Sequence, residues 1–173
     1  GIDQRGAIRK YHVKLDGSLN PQWEVYASGL RNSMGLAFES IENTLWQVEN
    51  ARDLISKHDP SLDDAALPHD ELNLIEHGTN YGWPYCYDMG VSSPEYPNHD
   101  CKKYRRPEVL LPPHSAPLGM AFHDGRGLPN AIGKGLFVTL HGYRDTGHRI
   151  IFIPFGSDGK PSNGFIDIVS GWD

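Results

Sequence analysis

Arg31-Asn32 places a guanidinium beside a carboxamide. An arginine fork matches a carboxylate in a way that a lysine ammonium does not, so the pair suits an anionic ligand; the plain alternative is a turn with the arginine on the surface. Asp70 and Glu71 are the carboxylates that could converge on a metal, and two are few for such a site. Cys86 and Cys101 share one loop rich in Pro, Tyr and Asn. A bridge between them would close a loop of ~15 residues and stabilise by about 3 kcal/mol on the chain-entropy argument. Buried or free thiols are the alternative, and a zinc site with His99 or His114 lacks the C-x-x-C pattern. A disulfide would imply an oxidising compartment. Among the nine histidines, His12, His58, His77, His99, His123 and His148 read as solvated or turn residues. The run Lys102-Lys103-Tyr104-Arg105-Arg106 is short and reads as a solvated loop rather than a phosphate or membrane patch.

The elements that must position these residues repeat. Gly35-Leu36-Ala37-Phe38 leading to Leu45-Trp46-Gln47-Val48 returns as Gly119-Met120-Ala121-Phe122 leading to Leu136-Phe137-Val138, 84 positions on from Gly35 to Gly119. Asp16-Gly17 followed by Ser28-Gly29 returns as Asp158-Gly159 followed by Ser170-Gly171, at an offset of 142 from Asp16 to Asp158. Short strands recurring between Gly, Asp and Asn turns are the signature of an all-β fold, a β-propeller, whose blades cannot bury both faces alone. A blade takes roughly 40–50 residues plus loops, so the chain is expected to hold about two and a half blades and to be an internal piece of a longer protein. The expected organisation is the end of one blade over residues 1–29, a second blade with long loops over 33–113 and a third over 114–171.

Within the second blade, residues 50–70 form a polar excursion too long for a hairpin, with a turn of helix expected near Asp53 to His58. The stretch Glu71 to Glu76 alternates as a strand and runs into a turn over residues 78–84; a second excursion, 85–113, carries both cysteines. Two long loops on one side would build a rim over the central channel, where propellers hold ligands.

A hydrophobic content of 38% with 22% charged residues suits a folded soluble domain. The formal net charge of −6 argues against nucleic acid, which is bound through Lys and Arg. No apolar run approaches the ~20 residues of a membrane span.

Four stretches carry a family resemblance: Gly29-Leu30-Arg31-Asn32-Ser33-Met34-Gly35-Leu36-Ala37-Phe38, Asp70-Glu71-Leu72-Asn73, Gly78-Thr79-Asn80-Tyr81-Gly82-Trp83-Pro84, and His114-Ser115-Ala116-Pro117-Leu118-Gly119-Met120-Ala121-Phe122. Together and in this order they resemble the soluble pyrroloquinoline-quinone (PQQ) dependent sugar dehydrogenases, in particular the sorbosone and pyranose dehydrogenase branch. The resemblance implies a six-bladed parent propeller, PQQ and Ca2+ as cofactors, a sugar substrate, an external electron acceptor such as a cytochrome, and a periplasmic or secreted location. The rest of the parent propeller would be this chain's first partner, with no nucleic acid and no membrane span.

By the same resemblance Arg31 and Asn32 contact the cofactor, His114 falls at a pocket position, and His141 takes the place of a cofactor-contacting lysine, with Arg144 supplying the permanent charge. A calcium under the cofactor would be held by carbonyls of the loop from Ala65 to Pro68, whose length departs from the better-known glucose dehydrogenases and leaves the ligand atoms unassigned. A further calcium is implied at Glu71 and the carbonyl of Tyr81; without it Glu71 is a plain strand-edge carboxylate. The family's general-base histidine lies upstream of the Arg-Asn pair, so no catalytic residue is assigned to this chain, which alone is not expected to be a competent enzyme. The competing readings are a non-catalytic propeller that binds proteins outside the cell, kept open by the His141 substitution although the retained Arg31, Asn32 and Glu71 favour the dehydrogenase, and, ranked last, a calcium-dependent lactonase-type propeller.

Overall fold

The computed structural model describes residues 6–129, 132–142, 145–162 and 164–172. Thirteen strands are described in chain order: β1 (Ala7–Val13), β2 (Leu19–Ser28), β3 (Ser33–Glu39), β4 (Thr44–Glu49), β5 (Asp70–Ile75), β6 (Thr79–Asn80), β7 (Cys86–Tyr87), β8 (Val91–Ser92), β9 (Val109–Leu111), β10 (Pro117–Asp124), β11 (Lys134–Leu140), β12 (Arg149–Pro154) and β13 (Ile166–Ser170). They form two four-stranded sheets, β3-β4-β5-β9 and β10-β11-β12-β13, a three-stranded sheet β1-β2-β6 and the small hairpin β7-β8. Within both four-stranded sheets every neighbouring pair is antiparallel. This is a part of a β-propeller without a closed sheet, the all-β architecture that the repeats predict. Among the described residues no helix is long and apolar enough to cross a membrane.

Period-two patterning decides which blades meet. On β4 and β5 one face carries Trp46, Val48 and Leu72, which join Leu136, Val138 and Ile151 in the main core between the two complete sheets. Trp46 meets Phe155 edge-on at a centroid distance of 5.1 Å and Phe122 at 6.3 Å. The opposite face packs Ile75 and Leu45 against Ala27, Leu30 and Tyr26 of the β1-β2 side. Above these apolar residues that face turns polar: the opposed pairs Gln47↔Asn73 and Glu49↔Glu71 continue the same two strands.

The turn expected over residues 78–84 does more than reverse the chain. Thr79 and Asn80 pair in parallel with Ala27 and Ser28 of β2, so the segment after β5 climbs along the neighbouring sheet. Gly29 is what allows the approach: its φ is +70°, and a Cβ there would sit 2.1 Å from Asn80 Oδ1. The helix expected near Asp53 to His58 is a single 3-10 turn, Ile55–Lys57, whose anchor Ile55 is fully buried.

Cys86 and Cys101 form a disulfide with a Cα–Cα distance of 5.9 Å. Both sulfurs are thereby consumed, which corrects the thiol and zinc alternatives. His99 is stacked between Tyr85, at 4.5 Å, and Tyr104, at 5.6 Å.

Candidate functional site

The chain enters β3 through Arg31-Asn32 and β10 through His114-Ser115-Ala116, and it leaves β4 at Asn50 and β11 at His141. First strands begin and second strands end on the same edge of a sheet, so these segments from two neighbouring sheets collect at one end. Between them lies a cleft of ≈ 240 Å³, whose lining includes Arg31, Asn32, Asn50, Asp53, His114 and Gly142.

Arg31 is fixed by backbone acceptors. Its Nη1 donates to the carbonyls of Asn50 (3.0 Å) and Ala51 (2.5 Å), and its own N–H donates to Glu49 Oε1 at 2.7 Å. The guanidinium carbon lies 5.9 Å from the centroid of the Trp83 ring. No protein hydrogen bond occupies Nε or Nη2 among the described residues, which leaves a held but unsaturated cation at the cleft. Asn32 is exposed on the same wall, and its carbonyl accepts from Asn50 N at 3.1 Å. The Oδ1 of Asn50 is buried without a hydrogen-bond partner, an unmet acceptor in the lining of the cleft.

His114 lines the cleft, yet both ring nitrogens face protein oxygens: Nδ1 is 3.1 Å from Asp53 Oδ1 and Nε2 is 2.5 Å from the carbonyl of Asp64. It pins the 50–69 excursion to the entry of β10. His141 is exposed, and its N–H donates to the carbonyl of Ala116 at 3.0 Å; its neighbour Gly142 forms the wall. Arg144 lies outside the described residues.

Arg31 is shared with a second, tighter pocket of ≈ 20 Å³, lined also by Glu49, Glu71, His69, Tyr81 and Trp83. That is room for about one water-sized occupant. Glu71 is not at a strand edge, since β5 runs between β4 and β9 and sets Glu71 opposite Glu49. Burial pushes the Glu49 carboxyl up to about 7, against the hydrogen bonds it accepts from Arg31 N and Gln47 Nε2. Burial, and then repulsion from Glu49, holds Glu71 well above the usual carboxylate range. Two opposed buried carboxylates with a one-atom space beside them suit a hard cation, which would take the place of the proton that the pair otherwise keeps. Tyr81 lines this pocket, and its hydroxyl donates to the carbonyl of Leu74 at 2.6 Å. Among the described residues no three His, Cys, Asp or Glu side chains converge as a metal cage, so further ligands there would be backbone carbonyls or water.

Sequence reasoning passed over three participants. Glu49 gives no signal by itself, because its role depends on the register that places it opposite Glu71. His69 is held by Asp88 at two atoms, N–H to Oδ1 at 2.9 Å and Nδ1 to Oδ2 at 2.8 Å, a pairing of residues 19 positions apart on either side of β5, β6 and β7. Glu95 joins the two excursions through Arg52 and through His58 at 3.2 Å.

Comparison with known proteins gives this geometry a context. A PQQ-dependent sugar dehydrogenase of Hypocrea jecorina is 24% identical over 189 residues, covering 90% of this chain and 41% of that protein. An uncharacterised protein of Borreliella burgdorferi is 31% identical over 122 residues, covering 69% of this chain and 30% of that one. The chain therefore spans less than half the length of these relatives. Among solved structures, a family AA12 carbohydrate-active enzyme of Trichoderma reesei superposes with a TM-score of 0.69 at 23% identity, over 91% of this chain and 46% of the other. A Thermus thermophilus structure described as a putative oxidoreductase (glucose dehydrogenase) superposes at 0.58 with 28% identity, over 86% and 36%. The TrAA12-like family matches residues 3–169, and the chain, whose sequence resemblance to soluble PQQ-dependent sugar dehydrogenases is thereby borne out, belongs to that family.

Proposed function

We propose that this chain is part of a PQQ- and calcium-dependent dehydrogenase that oxidises a sugar and passes the electrons to an external acceptor. The observation that carries the reading is Arg31, a residue of the ≈ 240 Å³ cleft that is anchored by Nη1 to two carbonyls while Nε and Nη2 have no protein hydrogen bond among the described residues. PQQ is a planar ortho-quinone with three carboxylates, so a wall of guanidinium and amide donors suits it. Asn32 supplies an amide to that wall, and the unpartnered Oδ1 of Asn50 is the kind of atom that a ligand N–H would satisfy. Glu49 and Glu71, with backbone oxygen near Tyr81, would hold a calcium in the tight pocket. His114 and His141 act from the frame of the cleft, and Arg144 remains a proposed cation for the cofactor.

When bound, PQQ supplies the two-electron acceptor and a calcium beneath it the Lewis acid. The chain's own contribution is to bind and orient: Arg31 fixes an anionic edge, the 50–69 excursion pinned by His114 keeps water from one side, and Trp83 backs the guanidinium. No general base is assigned to these residues. The disulfide supports a periplasmic or secreted location. A non-catalytic propeller that binds proteins is the second reading, favoured by His141, which is exposed where the dehydrogenase reading asks for a cofactor-contacting cation. Dye-linked oxidation of a panel of aldoses by the full-length protein, reconstituted with PQQ and calcium, tests the first reading. Turnover that requires both additions supports it; inert protein that holds neither favours the second.

A further inference from the structure

We propose that Asp70 is the positioning residue for Arg31, and that it couples the two walls of the cleft through one buried carboxylate. The inference rests on the reading of that cleft as a cofactor site. Asp70 is 2% exposed. Its Oδ1 accepts from Ala51 N at 2.8 Å, and its Oδ2 accepts from Ala116 N at 2.8 Å and from Ser115 Oγ at 3.1 Å. Both oxygens are thus turned to backbone and hydroxyl donors, from the exit of β4 on one side and the entry of β10 on the other.

Each arm continues to a residue of the cleft. The Ala51 whose N–H is held by Asp70 is the same residue whose carbonyl accepts from Arg31 Nη1. On the other arm, the carbonyls of Ser115 and Ala116 accept from Gly142 N and His141 N. The arginine that would grip the ligand is therefore set by a carboxylate two hydrogen bonds away, whose two oxygens are both engaged by donors of the protein. A buried acceptor with three donors is costly to change, because removing it leaves those donors unmet.

Asp70→Asn separates positioning from mere support. The amide keeps one acceptor, and the side with two donors, Ser115 and Ala116, will retain it; the NH2 then faces the Ala51 N–H, and the Arg31 arm is the one that opens. In the full-length protein the Nη1–H resonance of Arg31, from the hydrogens bonded to Asn50 and Ala51 and assigned by its loss in Arg31→Lys, should be sharp and slowly exchanging in the wild type and broad in Asp70→Asn. Ser115→Ala, which trims the other arm, should leave it sharp. PQQ binding should weaken at least tenfold in Asp70→Asn, with no further loss when Arg31→Ala is added, because both changes remove one device. Should Asp70→Asn not fold, Ala51→Pro deletes the N–H at the other end of the bond and should give the same broadening. An unchanged Arg31 resonance, or losses that add in the double variant, overturns the proposal. If the resonance collapses as expected but the wild type binds no PQQ, positioning stands and the cofactor reading falls; binding that is indifferent to Asp70 gives the reverse.

Discussion

The opposed carboxylates Glu49 and Glu71 make a quantitative prediction about stability without metal. In the fold Glu49 keeps its proton up to about 7, whereas in the unfolded chain it releases it near 4.5. Between those values the folded state holds more protons than the unfolded one, so the free energy of unfolding falls as pH rises. At about 1.4 kcal/mol per pH unit the gap is worth about 3 kcal/mol. Glu71 is shifted in the same direction and adds to the loss. The carboxylates that are stabilised as anions, Glu24, Glu39 and Glu95 among them, titrate below this window and do not obscure it. The assay is urea unfolding of the full-length protein at pH 5 and pH 8, in chelator and in calcium, for the wild type and Glu49→Gln. In chelator the wild type should lose about 3 kcal/mol more than Glu49→Gln on going from pH 5 to pH 8, and calcium should restore most of that loss. Equal pH dependence in the two proteins, or restoration by calcium in Glu49→Gln as large as in the wild type, would refute the reasoning.

Other perturbations follow from packing. Trp46→Ala removes a side chain 3% exposed that meets both Phe122 and Phe155, and should cost about 3–5 kcal/mol in the same unfolding assay. Replacing Cys86 and Cys101 by serine reopens a loop of 15 residues and should cost about 3 kcal/mol, with proteolytic nicking appearing between residues 86 and 101. Gly29→Ala forces a Cβ to within 2.1 Å of Asn80 Oδ1 at a φ of +70°, so it should cost roughly 1–3 kcal/mol and raise amide exchange at Thr79 and Asn80, whereas Gly17→Ala, also at positive φ but in open space, should leave exchange at those two residues unchanged.

The sheets were legible because period two and repetition are local properties. The Gly-Leu-Ala-Phe unit and its copy mark β3 and β10, each the first strand of a four-stranded sheet, and Leu45 to Val48 and Leu136 to Val138 fall on the strands that pair with them. Arg31 and Asn32 stood out by residue type and by the family motif around them, and the structure places both in the lining of the cleft. What escaped were relations that only register or long-range closure creates. Glu49 and Glu71 are 22 positions apart in sequence and become opposed through the β4-β5 ladder. The bond from Asp70 to Ala116 spans 46 positions, and no composition or spacing rule announces it. Likewise His114 reads as a donor for a ligand until the 50–69 excursion folds down and takes both of its nitrogens.

The most direct test of the central claim is titration of PQQ into the full-length protein, followed by the cofactor's absorbance, with calcium and with chelator, for the wild type and Arg31→Ala. The account predicts saturable binding that needs calcium and that Arg31→Ala weakens by tenfold or more, the size expected for loss of a charge-assisted contact of about 1.5–3 kcal/mol. Absence of binding at high cofactor and calcium, or binding that Arg31→Ala leaves unchanged, would contradict it.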